Sequence, residues 1–165
     1  MLTLIFALVL VSADVGVKVA FVAPSWMVGQ PAVVLQDTVR DRILPIFIGE
    51  AEARAIQFAL DSVKVPRPMT HDLMVDIIEK LGGRIKKVVV TDLKHDTYYA
   101  EIHIERKDGK KKVIDARPSD AINLALRAGA PIFLREKVFE KEEKAREKMT
   151  PPPERHKKKP EVGDI

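Results

Sequence analysis

Between Val113 and Ile122 the chain reads Val-Ile-Asp-Ala-Arg-Pro-Ser-Asp-Ala-Ile, which sets two carboxylates, a guanidinium and a hydroxyl within six residues. Such a group can hold an anion. Pro118 is suited to the first position of a helix, whose free amides and positive dipole end then face the preceding turn. Two further polar clusters also stand where helices begin: Gly49-Glu50-Ala51-Glu52, and Arg67-Pro68-Met69-Thr70-His71-Asp72. Together the three supply the parts of phosphodiester hydrolysis. Carboxylates can hold a divalent ion that polarises the phosphoryl oxygen and acidifies a water, an arginine can balance the added negative charge, and a histidine can relay protons.

Each of these residues also has a plainer reading. Asp72 and Asp120 fall early in predicted helices, where the dipole alone favours an acid. His71 directly after Thr70 fits a surface or capping contact. Arg117 is the residue least explained by helix-start chemistry, because a helix dipole gives no reason to place a cation there. Asp115 ends a run of apolar residues and is costly to bury unpaired, so Asp115 with Arg117 is expected to be either a structural ion pair or half a site. His95, His103 and His156 lack metal-ligand spacing, and there is no Walker loop, GxGxxG, GxSxG or HExxH.

The elements that must position these clusters follow from periodicity. Val17 to Val22, Ala32 to Gln36 and Ile43 to Ile48 read as an antiparallel meander, with Pro45 confining the third run to an edge or bulge. Glu50 to Val63 is helical by its Ala53, Ile56, Ala59, Leu60 and Val63 spacing. Thr70 is placed to cap a second helix with Leu73, Met74, Ile77, Ile78 and Leu81 facing inward, ended by Gly82-Gly83. Strands are expected at Lys87 to Thr91 and Thr97 to Glu105, the latter with Tyr98, Ala100, Ile102 and Ile104 on its apolar side. Asp108-Gly109 turns a hairpin into Lys111 to Asp115. A third helix from Pro118 to Gly129 and a last strand at Pro131 to Leu134 complete an α+β order.

The 165 residues, 46% of them hydrophobic, suffice for one core, and the absence of cysteine removes disulfides, thiolate metal sites and cysteine nucleophiles. Any metal chemistry must use carboxylates and histidines, which points to Mg²⁺ or Mn²⁺, with no organic cofactor expected. A net charge of +4 permits nucleic-acid contact without requiring it. Nine aromatics are few for a base-stacking platform. Residues 1–13 form an apolar, signal-like leader, too short to span a bilayer as a helix and lacking a positive charge before it. The expected location is cytoplasmic, or secreted or membrane-associated if that leader acts as a signal. The domain is assigned to residues 14–137. Residues 138–165 read as a charged, Pro-rich, disordered tail that begins as a frayed helix, since the stretch from Glu136 has nine Lys/Arg against eight Asp/Glu and no apolar periodicity able to hold a core.

The three motifs Leu44 to Glu52, Arg67 to Leu73 and Ile114 to Ala125, in this order, resemble those of the bifunctional nuclease domain family of bacteria, archaea and plants. The resemblance runs from Val17 to Val138. It implies a compact α+β domain and nuclease activity on DNA and RNA with low sequence specificity, possible Mg²⁺ or Mn²⁺ assistance, and nucleic acid as partner. Carried onto this chain, the family's polar positions are Glu50, Glu52, Arg67, Thr70, His71, Asp72, Asp115, Arg117, Ser119 and Asp120. Asp115, Asp120, His71, Asp72 and Glu50 are the catalytic candidates, with Asp115 and Asp120 also the metal candidates. Arg117, Arg67, Ser119 and Thr70 are the substrate-binding candidates. The alternatives are a non-catalytic anion-binding or protein-interaction module, and a homo-oligomeric structural protein for which the meander edges leave room.

Overall fold

Seven strands form one sheet in the order β3-β2-β1-β7-β4-β5-β6 in the computed structural model, which describes residues 14–149. In chain order the elements are β1 (Asp14–Ala23), α1 (Ser25–Val28), β2 (Ala32–Asp37), β3 (Ile43–Phe47), α2 (Glu50–Leu60) and α3 (Thr70–Lys80). There follow β4 (Gly83–Lys94), β5 (Thr97–Arg106), β6 (Lys111–Ala116), α4 (Pro118–Ala128), β7 (Ile132–Arg135) and α5 (Glu136–Met149). The expected α+β class is correct. The leader at 1–13 and the Pro-rich segment after 149 lie outside the described residues.

Short-range chemistry explains most of the pairings. The β1-β2-β3 meander is antiparallel, and Pro45 stands on β3 at the sheet edge, where a missing N–H does least harm. His95 and Asp96, both at positive φ, form the two-residue turn between β4 and β5, the conformation that matches strand twist. Gly109 at φ 79° turns β5 into β6. α4 then carries the chain back, and β7 enters the middle of the sheet, antiparallel to β1 and parallel to β4. The strand directions make β6-α4-β7 a parallel crossover unit, with the Arg117 to Asp120 segment at its strand-to-helix turn.

The core lies where α2 and α4 cover the sheet. Leu35, Leu44, Ile56, Val88, Val90, Ile122, Leu124 and Leu134 are completely buried in one cluster. Val88, Val89 and Val90 are buried in succession, so both faces of β4 are covered at the centre of the sheet.

Four expectations change. α2 ends at Leu60, three residues early. The cap position of α3 is Met69, with Thr70 the first helical residue, and the Asp72 carboxylate accepts the Met69 N–H at 2.9 Å. On α3 only Val75 is fully buried and Ile78 packs against the core, while Leu73, Met74 and Ile77, with Leu81 just after the helix, are exposed apolar residues, because only one side of α3 packs on α4 and β4. The start of the expected tail is helical, but it is packed and not solvated: Val138 and Phe139 enter the core, and the Phe139 ring takes the Arg42 guanidinium at 4.1 Å. Ion pairs from Glu136 to Arg42 and from Lys137 and Lys141 to the buried Asp92 hold α5 in place.

Candidate functional site

The three sequence clusters meet at the starts of α2, α3 and α4. Asp120, third residue of α4, accepts two hydrogen bonds from Arg117, at 2.7 Å from Nε and 3.1 Å from Nη2. Arg117 also reaches back to α2, its Nη1 lying 3.1 Å from Glu52 Oε1. From α3, His71 Nε2 lies 3.2 Å from Asp120 Oδ1. A carboxylate only accepts, so Nε2 carries a proton here, and in the neutral imidazole Nδ1 is then the acceptor. Nδ1 has no hydrogen-bond partner among the described residues. The result is a chain of contacts, Glu52 to Arg117 to Asp120 to His71, assembled from three helix termini.

Burial pushes the Asp120 carboxyl up, but hydrogen bonds from Arg117 and His71 outweigh it and hold the group below the usual carboxylate range. Asp120 pushes Arg117 further up in turn. Arg117 is nevertheless two-thirds exposed, so its guanidinium has a solvent-facing side open to a ligand. Gly49 makes room for this arrangement: a Cβ there would collide with the Glu52 carboxylate.

Two cavities adjoin the chain of contacts. One, of about 490 Å³, is lined by Glu52, Thr70, His71, Asp115, Arg117 and Asp120 together with apolar Met74, Ile102 and Ile114. The other, of about 450 Å³, is lined by Gly49, Glu52, Tyr98, Arg117 and Ser119. Glu52 and Arg117 belong to both walls. Tyr98 is half-buried and its hydroxyl is pushed up to about 12 by burial, so it stays a neutral hydrogen-bonding group.

Six of the predicted positions, Glu52, Thr70, His71, Asp115, Arg117 and Asp120, therefore share one cavity. Ser119 is buried and lines the second. Glu50 and Arg67 are exposed and line neither. Asp72 faces away, toward Arg127 at 2.5 Å. The expected Asp115–Arg117 pair is not formed: Arg117 takes Asp120 and Glu52, while Asp115 is exposed on edge strand β6 and joins no ion pair among the described residues. Its strand was read as apolar and covered, whereas every residue from Lys111 to Asp115 is exposed. Asp115 therefore needs no partner to offset burial.

One residue that sequence reasoning missed is Arg127. Its guanidinium, 10% exposed, bonds Asp72, the Asn123 side chain at 2.8 Å and the Ala55 carbonyl at 3.2 Å. It locks α4 to α3 and α2 directly beneath the site. The available signal was an arginine one turn after Asn123 on an otherwise apolar helix.

Among the described residues no three His, Asp or Glu side chains lie close enough together to hold a metal ion, and both Asp120 oxygens already accept protein hydrogen bonds.

A protein-family model described as the bifunctional nuclease domain matches residues 33–147, more than half of the chain and all three helix starts of the site. The chain belongs to the bifunctional nuclease domain family. An uncharacterized protein of Mycobacterium tuberculosis strain H37Rv is 43% identical over 110 residues, 67% of this chain and 65% of that one. Bifunctional nuclease 1 of Oryza sativa subsp. indica is 30% identical over 100 residues, 59% of this chain and 30% of the rice protein. Bifunctional nuclease 2 of Arabidopsis thaliana is 34% identical over 92 residues, 54% of this chain and 28% of the plant protein. The chain thus spans less than two thirds of each relative it matches, and under a third of the plant nucleases. Among the described residues no helix is long and apolar enough to cross a membrane.

Proposed function

We propose that this bifunctional nuclease domain hydrolyses phosphodiester bonds of DNA and RNA with little sequence preference. The observation that carries the reading is the His71–Asp120–Arg117 chain of contacts on the wall of an open cavity, in a chain whose plant relatives are named bifunctional nucleases. Asp120 fixes His71 with Nε2 protonated, so Nδ1 serves as the base. A water gives its proton to Nδ1 as its oxygen attacks phosphorus. The phosphorus bond to the leaving oxygen breaks, that oxygen takes a proton from solvent water, and His71 then releases its added proton to solvent. The exposed side of Arg117 balances the charge that grows on the phosphoryl oxygens. Thr70 at the rim of the cavity supplies a hydroxyl for the backbone phosphate.

Two carboxylates, Glu52 and Asp120, flank Arg117 on the cavity wall. A polyanion meets repulsion there, which is the reason to test Mg²⁺ and Mn²⁺ beside EDTA. The experiment is cleavage of labelled single-stranded RNA, single-stranded DNA and duplex DNA by the wild type, Asp120→Asn and His71→Ala, with folding followed by circular dichroism. Both substitutions are expected to lower cleavage about 10²- to 10⁴-fold without unfolding the protein. Cleavage that survives in both, or no cleavage by the wild type in any metal, would reject a nuclease and leave a non-catalytic anion-binding module centred on Arg117.

A further inference from the structure

The two edges of the sheet are treated differently. At β3 a proline interrupts the outer rim. At β6 the six residues Lys111–Ala116 contain neither proline nor glycine, and all of them pair with β5, so their outward backbone groups face solvent. Val113 and Ile114 on this strand are 55% and 47% exposed. An uninterrupted, half-apolar edge of this kind is a template for another strand.

An exposed apolar surface stands beside it. Leu73, Ile77 and Leu81 are spaced at i, i+4 and i+8 on α3, and Met74 joins them. Met74 and Ile114 line the same cavity, so the α3 stripe and the β6 edge are continuous. Ile114 lies opposite the buried Ile102 and therefore on the helix-covered side of the sheet. Val113, opposite His103, is on the other side together with Lys111 and Asp115.

Charge decides the occupant. Lys111 and Asp115 form no ion pair among the described residues: Glu105, across from Lys111, is paired with Lys86, and Glu101, across from Asp115, is paired with His103 and Arg135. We propose that β6 pairs antiparallel with β6 of a second copy of this chain about a two-fold axis through Val113. In that register Lys111 lies opposite Asp115 of the second copy, and Asp115 opposite its Lys111, on the same face of the joined sheet. Centring on Ile114 would instead set Val113 against the acid and leave Lys112 against Ala116. On the helix side the two α3 stripes meet over the axis and leave water together, the apolar burial that an edge-to-edge pair needs. The interface would border both copies of the cavity lined by His71, Asp115 and Asp120. It does not depend on the nuclease reading.

The test is the mass of the purified full chain by light scattering after size exclusion, over a concentration series. The wild type is expected at twice the 18.5 kDa of one chain. Lys111→Asp and Asp115→Lys each oppose like charges across the axis and should raise the dimer Kd at least about tenfold. The double swap Lys111→Asp with Asp115→Lys should restore it. Ile77→Glu, at a half-exposed position that leaves the core intact, should also weaken the dimer. A monomeric wild type at the highest concentration would overturn the proposal, as would a dimer indifferent to these changes or a swap that fails to restore pairing while circular dichroism shows native structure.

Discussion

Arg127 shows how much of the site depends on a side chain that touches no ligand. It supplies donors to Asp72, Asn123 and the Ala55 carbonyl, and Asn123, fully buried, passes the network on to the Ser119 carbonyl at 3.0 Å. Arg127→Ala takes the cation from Asp72 and leaves the Oδ1 of the fully buried Asn123 without its donor, and is expected to cost about 3 kcal/mol, read as the change in urea unfolding free energy. Arg127→Lys should recover only part of it, because a single ammonium cannot reach three acceptors in the planar fork geometry. A loss below about 0.5 kcal/mol in the alanine variant would place Arg127 among ordinary surface residues. The Arg117–Asp120 bond was within reach of sequence reasoning, since the two stand three apart at a helix start. The choice of Asp120 and Glu52 over Asp115 was not, because it depends on where α2 approaches and on β6 being an exposed edge.

At the scale of elements, α5 carries the clearest disagreement between composition and structure. Among its described side chains only Val138 and Phe139 are fully buried, too few to produce helical periodicity in a sequence dominated by Glu and Lys. The helix is held instead by the buried Asp92, which the register shift after Val90 sets opposite Tyr99, and which Lys141 and Lys137 bond at 2.6 and 3.0 Å. Phe139→Ala is predicted to destabilise the domain by about 3 kcal/mol or more, measured by thermal and urea unfolding. A solvated tail would show no change. α3 was misread in the opposite direction: its apolar residues predict a buried face, and the structure leaves that face outside, where it becomes the surface proposed for a second copy. Periodicity identifies a stripe and is silent on what covers it.

For the whole molecule the charge networks set a pH response. Lys141 draws the Asp92 carboxyl well below the usual range, and Arg42 does the same to Glu136. At Asp37, Asp72 and Asp120 burial pushes upward and is outweighed by hydrogen bonds. A carboxyl whose folded pKa lies below its unfolded value binds fewer protons in the folded state. Its contribution is complete above the unfolded pKa, near 4, and is lost as pH falls through the folded one. Tyr98 works at the other end: raised from 10.0 to about 12, it contributes fully below 10 and loses that contribution as pH rises toward 12. Thermal melts across pH should therefore show stability falling below about pH 4 and again above about pH 10. Unchanged or rising stability on acidification would contradict the pairings just described.

The α+β order, the hairpin at Asp108-Gly109, the three helix starts and the motifs that resemble the bifunctional nuclease domain family are all legible from the residues in chain order. These are local properties: side chains repeat every two residues in a strand and about every 3.6 in a helix, and turn chemistry acts over two to four residues. Long-range packing was needed to bring Glu52 and His71 onto the Arg117–Asp120 pair, to set Glu50 and Arg67 apart, and to make α5 part of the fold. The reason is that closing a longer loop costs little more than closing a short one, so chain spacing carries almost no record of partners. Partner choice follows from strand order, above all from β7 entering the middle of the sheet and from α4 leaving the edge strand β6 at Arg117.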